Sequence, residues 1–142
     1  STYPGNPISA VAGITCLELI KNQPIIEKAN STALRLKIEI NRLLSKMEVL
    51  GHAHGIASLI HLSLGFPCDC NREICTASHS VIKQSTSAQI DATLRRGLIN
   101  NGVDAIFGRK FIVSATHEDV DIDTTIEALE KTLISMRSES LL

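Results

Sequence analysis

The stretch PIIEKANSTALRLKIEINRLLSKM (24–47) carries the clearest period in the chain. Ile26, Ala29, Ala33, Leu36, Ile40, Leu43 and Met47 recur in steps of three and four, the spacing that lines one face of an α-helix. Glu27, Lys28, Arg35, Lys37, Glu39, Arg42 and Lys46 fill the wet side. A helix of this kind has to bury its stripe, so the remaining residues must supply an apolar surface to meet it.

Upstream, Pro4, Gly5, Asn6 and Pro7 predict a turn, and Pro7 suits the first turn of a helix, where its missing N–H costs nothing. A helix is expected from Pro7 to Lys21, with Ala10, Gly13, Ile14, Leu17 and Ile20 on one stripe. Asn22, Gln23 and Pro24 break it. Downstream, Gly51 and Gly55 bracket a short strand-like piece, and IASLIHLSL (56–64) predicts a strand from its partial alternation. Residues 65–85 read as a long polar loop, and loops of that length are usually functional or inserted. Residues 87–100 predict a helix with Ile90, Leu94 and Leu98 inward, closed by Asn101-Gly102. VDAIFG (103–108) and KFIVSA (110–115) predict two short strands. Thr116, His117, Glu118 and Asp119 open a last helix, with acids where the helix dipole favours them and His117 in the cap. Its expected stripe is Ile122, Ile126, Leu129, Leu133 and Met136, and the tail SESLL is expected to fray. The order predicts an α+β fold: a small, mostly antiparallel sheet with helices on one face.

Composition bounds the function. The 142 residues suffice for one domain, and a chain of this size buries roughly 70% of its unfolded surface. Aromatic residues make up only 3% and tryptophan is absent, so the core must be aliphatic. A formal net charge of −1 with no basic block argues against nucleic acid and anionic membranes as partners. No stretch has the pattern of a signal peptide or a membrane span. Four unevenly spaced cysteines point to reduced thiols and a cytoplasmic setting.

Three constellations are candidates for chemistry. Cys68, Cys70, Cys75 and His79 offer four potential zinc ligands, but their spacing matches no usual structural site, and unbonded thiols on a variable loop are the better reading; no metal site is expected. His52 and His54 share a strand face by alternation, with His61 nearby; packing or surface histidines are expected rather than a metal pair. No G-x-S-x-G, Walker loop or dinucleotide fingerprint is present, and none of the seven lysines has a catalytic signature. From the residues alone the chemistry is not evident.

Two stretches go further. STYPGNPISAVAGITCLELI (1–20) resembles the G-T-[FY]-x-[GA]-N-P segment that follows the catalytic-lysine segment in class III aminotransferases, which are fold-type I pyridoxal-phosphate enzymes. RKFIVSATHEDVDIDTTIEALEKTL (109–133) resembles the C-terminal strand and helix of the same family, nearest its glutamate-1-semialdehyde aminomutase branch. ALRLKIEINRLL (33–44) and GIASLIHL (55–62) fall where that family has its long helix and strand. The resemblance covers nearly the whole chain and is weakest over 65–85.

The resemblance implies the C-terminal part of such an enzyme, whose first residues were once internal. Residues 1–22 would be a turn and linking helix toward a large domain, and 23–142 the C-terminal small domain. The implied function is amino-group transfer between an amino compound and a keto acid or aldehyde on pyridoxal 5'-phosphate, in a cytoplasmic homodimer. Aminomutase activity and a non-catalytic binding or interaction domain are the alternatives. The family's Schiff-base lysine belongs to the large domain, so the fragment would be inactive alone. Thr2 matches the threonine that binds the cofactor phosphate of the neighbouring subunit, while Ser1 replaces the usual glycine before it. Asn6 and Pro7 match the family's N-P turn. Arg109 falls at or beside a position where aminomutases carry a substrate-pocket glutamate; it implies either a bidentate hold on a substrate carboxylate, favouring an aminotransferase, or a surface arginine in a turn. Separated from its large domain, such a chain would expose an apolar face and self-associate.

Overall fold

A computed structural model of the chain describes residues 5–68, 73–85 and 87–142, with the side chains of residues 79, 84 and 85 outside that description. The elements are α1 (Pro7–Asn22), α2 (Ile25–Lys46), β1 (Gly51–His54), β2 (Leu59–Leu64), α3 (His79–Ser85), α4 (Ala88–Asn100), β3 (Lys110–Ile112) and α5 (Asp119–Ser138). The strands form one antiparallel sheet in the order β1-β2-β3. This is the expected α+β architecture, with helices packed on one face of the sheet.

Alternation along the strands divides the sheet into a dry and an open face. Ala53, Ile60, Leu62, Leu64 and Phe111 point inward and are buried. They meet Ala33, Leu36, Ile40, Leu43 and Leu44 of α2, Leu94 and Leu98 of α4, and Ile122, Leu129, Leu133 and Met136 of α5 in one aliphatic core. The stripe predicted for α2 is buried from Ala29 to Leu43 and widens to include Leu44. At its ends Ile26 is exposed and Met47 is only partly buried.

Polar clasps fix the layers. Asn41 of α2 imitates a neighbouring strand: its side-chain amide donates to the Ala53 carbonyl at 2.9 Å and its Oδ1 accepts the Ala53 N–H at 2.8 Å. Arg35 of α2 reaches across to Asp119 and Asp123 in the first turns of α5. Both carboxylates also sit at the positive end of the α5 dipole.

Several local expectations are corrected. Residues 56–58 are not strand: Ala57 adopts φ 53° and Leu59 N–H closes on the Ile56 carbonyl at 3.0 Å, making the turn between β1 and β2. VDAIFG is not a strand either. Phe107 and Gly108 take φ 53° and 73°, folding the segment into a turn held by a lone bridge between Ile106 and Lys110. The 65–85 segment ends in the short helix α3. His117 does not cap α5; its Nδ1 accepts the Ser114 N–H at 3.0 Å and ties the preceding turn, while Asp121 accepts the Glu118 N–H at 2.8 Å. The tail does not simply fray, because Leu141 N–H bonds the Met136 carbonyl and its side chain packs on the core.

Helix α1 forms where predicted, with Asn6 Oδ1 accepting the Ile8 N–H at 2.9 Å. Its stripe, however, is not buried. None of its residues is covered, and Ile8, Val11, Ile14, Leu17, Leu19 and Ile20 are 42–80% exposed.

α4 and α5 approach closely at Gly97, where an added Cβ would lie 2.3 Å from Thr132 Cγ2. Thr132 is buried and its hydroxyl donates to the Ala128 carbonyl at 2.7 Å, so it cannot turn away cheaply. Gly97→Ala should therefore destabilise by about 1–2 kcal/mol, the overpacking cost exceeding the roughly 1 kcal/mol gain in helix propensity. Thr132→Ala in the same chain should restore part of the loss. Urea denaturation reads both; an unchanged midpoint in Gly97→Ala would contradict the close packing.

Candidate functional site

The open face of the sheet gathers the β1 and β2 histidines that the sequence singled out. Because side chains alternate along a strand, His52 and His54 project together from the side of β1 opposite the buried Ala53. Their rings stack, with centroids 6.1 Å apart and planes 7° from parallel. The register sets His54 opposite His61 of β2, and those rings approach to 5.2 Å. His61 in turn faces Lys110 of β3 and lies 3.4 Å from the Ser63 hydroxyl. The shared strand face expected for His52 and His54 is present, extended by His61 into a row of three.

Burial sets the charge of this row. It lowers the affinity of all three imidazoles for a proton, and neighbouring cations lower it further. His54 is pushed down to about 4, first by burial and then by His61, His52 and Lys37. His61 is lowered by burial, Arg109 and Lys110, with Asp91 opposing. His52 is lowered by burial and Lys37. At neutral pH the row is uncharged imidazole, able to accept or pass on hydrogen bonds, with Lys110 beside it as a fixed cation.

A cleft of about 340 Å³ opens over this face, between His54, Leu59 and His61 on the sheet, Ile106 and Ile112 at its far edge, and Glu73 and Ile74 from the loop after β2. Its walls are mainly aliphatic, with polar groups only at the histidines, Glu73 and Lys110. Such a surface suits a partly apolar ligand or another protein surface.

Arg109 stands at the edge of the same sheet, but not as a surface residue. It is 5% exposed, and its guanidinium pairs with Asp91 of α4. The surface-arginine alternative is thereby excluded. The cause is the turn before it: Gly108, at φ 73°, lies so close to α4 that an added Cβ would sit 2.9 Å from the Arg95 backbone nitrogen. Asp91 lies one helical turn before Arg95 on the same face, so the turn delivers Arg109 to it. The Arg109 carbonyl also accepts the Leu62 N–H at 2.8 Å. Asp91 was not among the sequence candidates; nothing in its own neighbourhood distinguishes it from other acids in a first helical turn.

Thr2 and Cys70 lie outside the described residues, as does the side chain of His79. Among the described residues, no group of three or more His, Cys, Asp or Glu is placed to hold a metal ion. Cys68 and Cys75 do come together, with their sulfurs 3.6 Å apart. All seven lysines are described: six are exposed, and half-buried Lys37 donates to the Gly55 carbonyl at 3.4 Å. No described lysine stands in an enclosed pocket where a carbonyl cofactor would be held. No helix among the described residues is long and apolar enough to cross a membrane.

No family model matches the chain. In sequence it is 30% identical over 135 residues to glutamate-1-semialdehyde 2,1-aminomutase of Syntrophomonas wolfei, covering 93% of this chain and 29% of that protein. It is 23% identical over 131 residues to 4-aminobutyrate aminotransferase GabT of Escherichia coli, covering 92% of this chain and 29% of that one. In fold it is similar to an omega-transaminase from Sphaerobacter thermophilus, with a TM-score of 0.74 at 19% identity, covering 94% of this chain and 29% of the other. The chain thus spans less than a third of the length of each of these proteins.

Because His54 takes up its proton only near pH 4 when folded, against 6.5 when unfolded, acid favours the unfolded chain. Its contribution is full above about pH 6.5 and is lost as pH falls to about 4. Stability measured between pH 7 and 4 should fall less steeply in His54→Gln than in the parent; parallel curves would contradict the neutral, buried state of this ring.

Proposed function

We propose that this chain, which in sequence and fold corresponds to the C-terminal portion of the class III pyridoxal-phosphate aminotransferases, works as the small domain of an enzyme that moves an amino group between an amino compound and a keto acid or aldehyde. One observation carries the reading: the likeness runs through 93% of the chain, yet no residue of α1 is buried against the rest of the described residues. A largely apolar helix left uncovered in water is a docking element. A large cofactor-binding domain is the partner that the likeness supplies, and α1 (residues 7–22) is the link to it.

The resemblance assigns the Schiff-base lysine to the large domain, and no lysine among the described residues is enclosed. On this reading pyridoxal 5'-phosphate is held mainly by residues outside this chain. Thr2 is the one contributor proposed here, through its hydroxyl and amide toward the cofactor phosphate of the neighbouring subunit in a cytoplasmic homodimer. This chain's own part is to shape the substrate side of the site.

Arg109 is the residue proposed to act on substrate. A guanidinium is a planar fork of five donors, the geometry that suits bidentate recognition of a substrate carboxylate, and in this chain it also pairs with Asp91. Asp91 would then position the fork. An arginine where aminomutases have a glutamate favours transfer between two molecules. The identity to an aminomutase favours the second reading, transfer within one molecule.

The test uses the full-length protein that carries these residues. Supplied with an amino acid and a keto acid, it should exchange the amino group between them. Arg109→Lys should raise KM for a carboxylate-bearing substrate by roughly tenfold, about 1.4 kcal/mol, while kcat changes less. An unchanged KM with a lowered melting temperature would assign Arg109 to the fold alone. Absence of any transfer between donor and acceptor, with isomerisation of a single amino aldehyde instead, would favour the aminomutase reading.

A further inference from the structure

The cleft over the open sheet face combines a neutral floor, an aliphatic wall and a free positive charge, none of which amino transfer uses. His54 and His61 form the floor, and Ile56, Leu59, Ile106 and Ile112 the wall. The enclosed space is about 340 Å³. Small-molecule sites start at roughly 300 Å³, so the cleft has room for a single ring or a short alkyl chain.

Two observations at the rim point to a ligand. Phe107 is 65% exposed, whereas Phe66 and Phe111 are buried. Its backbone is left-handed, at φ 53°, a conformation that a bulky residue rarely adopts. Lys110 extends over this ring, with Nζ 5.9 Å from the centroid, and the ring face holds the ammonium at the rim. Among the described residues that ammonium makes no ion pair, while Arg35, Arg42, Lys46, Arg109 and Lys131 each meet a carboxylate. Lys37, hydrogen-bonded to the Gly55 carbonyl at the edge of the cleft, is a second cation. Glu73 is the one acid on the lining. Two cations against one acid, over imidazoles that are uncharged at neutral pH, favour an anion.

We propose that this cleft binds a small apolar carboxylate, an aryl- or alkyl-alkanoate, with its tail among Leu59, Ile106 and Ile112 and its carboxylate on the Lys110 ammonium. The tail exchanges water for an aliphatic wall, and the head stays at the rim in a partly hydrated ion pair. The site does not depend on the amino-transfer reading. Where a second domain covers the sheet face, a hollow between the two is a common setting for a small-molecule site.

Isothermal titration calorimetry of the full-length protein with 4-phenylbutyrate tests this, because the probe has no amino group to transfer. Saturable binding is expected. The uncharged 4-phenylbutanamide should bind roughly two- to fivefold more weakly, the range of a partly exposed ion pair, and Lys110→Gln should remove the difference. Leu59→Trp, which places a larger ring in the hollow, should abolish binding of both. Leu59 and Lys110 are exposed, so neither change disturbs the core. Lys110→Gln tests the charge by itself should Leu59→Trp fail to fold. Absence of saturable binding would overturn the proposal and leave the cleft to a covering segment of protein. Equal affinity for acid and amide, or a Kd that both variants leave unchanged, would overturn it as well.

Discussion

The structure depends on the one-sided burial of a three-stranded sheet. A sheet this small cannot stand in water unaided, so Ile60, Leu62, Leu64 and Phe111 must be covered on one face by α2, α4 and α5. All other features follow from which side is covered. Strict alternation sends every second residue of each strand to the opposite face, and there the chain places His52, His54, His61 and Lys110. The same covering fixes α4 beside the turn at Gly108, which brings Arg109 to Asp91. The candidate functional face is the reverse of the core and is positioned by it.

Apolar residues left exposed among the described residues point in the same direction. α1 carries six large aliphatic side chains into solvent, and the open sheet face adds Leu59, Ile106 and Ile112. A domain of 142 residues has enough core to fold without them. On the proposed reading, these are surfaces that other parts of an assembly cover. This agrees with a chain that spans 29% of the length of an aminomutase and an aminotransferase it resembles.

Much of this was legible in the sequence, and the failures have physical causes. The period of three and four located α2, α4 and α5 and most of their buried residues, because burial on one side of a helix leaves that pattern directly. The same pattern in α1 gave the helix but not its environment: periodicity records that a face is apolar, not what covers it. VDAIFG looked like a strand because Val, Ile and Phe favour extended backbone, but Gly108 and Phe107 take left-handed dihedrals that fold it back on itself. His52 and His54 were placed together by alternation, whereas His61 joined them only through strand pairing. The Arg109–Asp91 pair spans 18 positions and two elements, so no local pattern announces it. The meeting of Cys68 and Cys75 is of the same kind, since it depends on the path of the loop rather than on spacing.

The central claim is that α1 is a docking element covered by a large domain. Amide hydrogen exchange tests it most directly, with Pro7–Asn22 followed in the full-length protein and in the isolated 142 residues. A helix with no buried residue should exchange rapidly in the isolated chain, at rates near those of a fraying end. In the full-length protein the same amides should be protected to the level of α2. Equal and rapid exchange in both would contradict the account and leave α1 an exposed helix with no partner to meet.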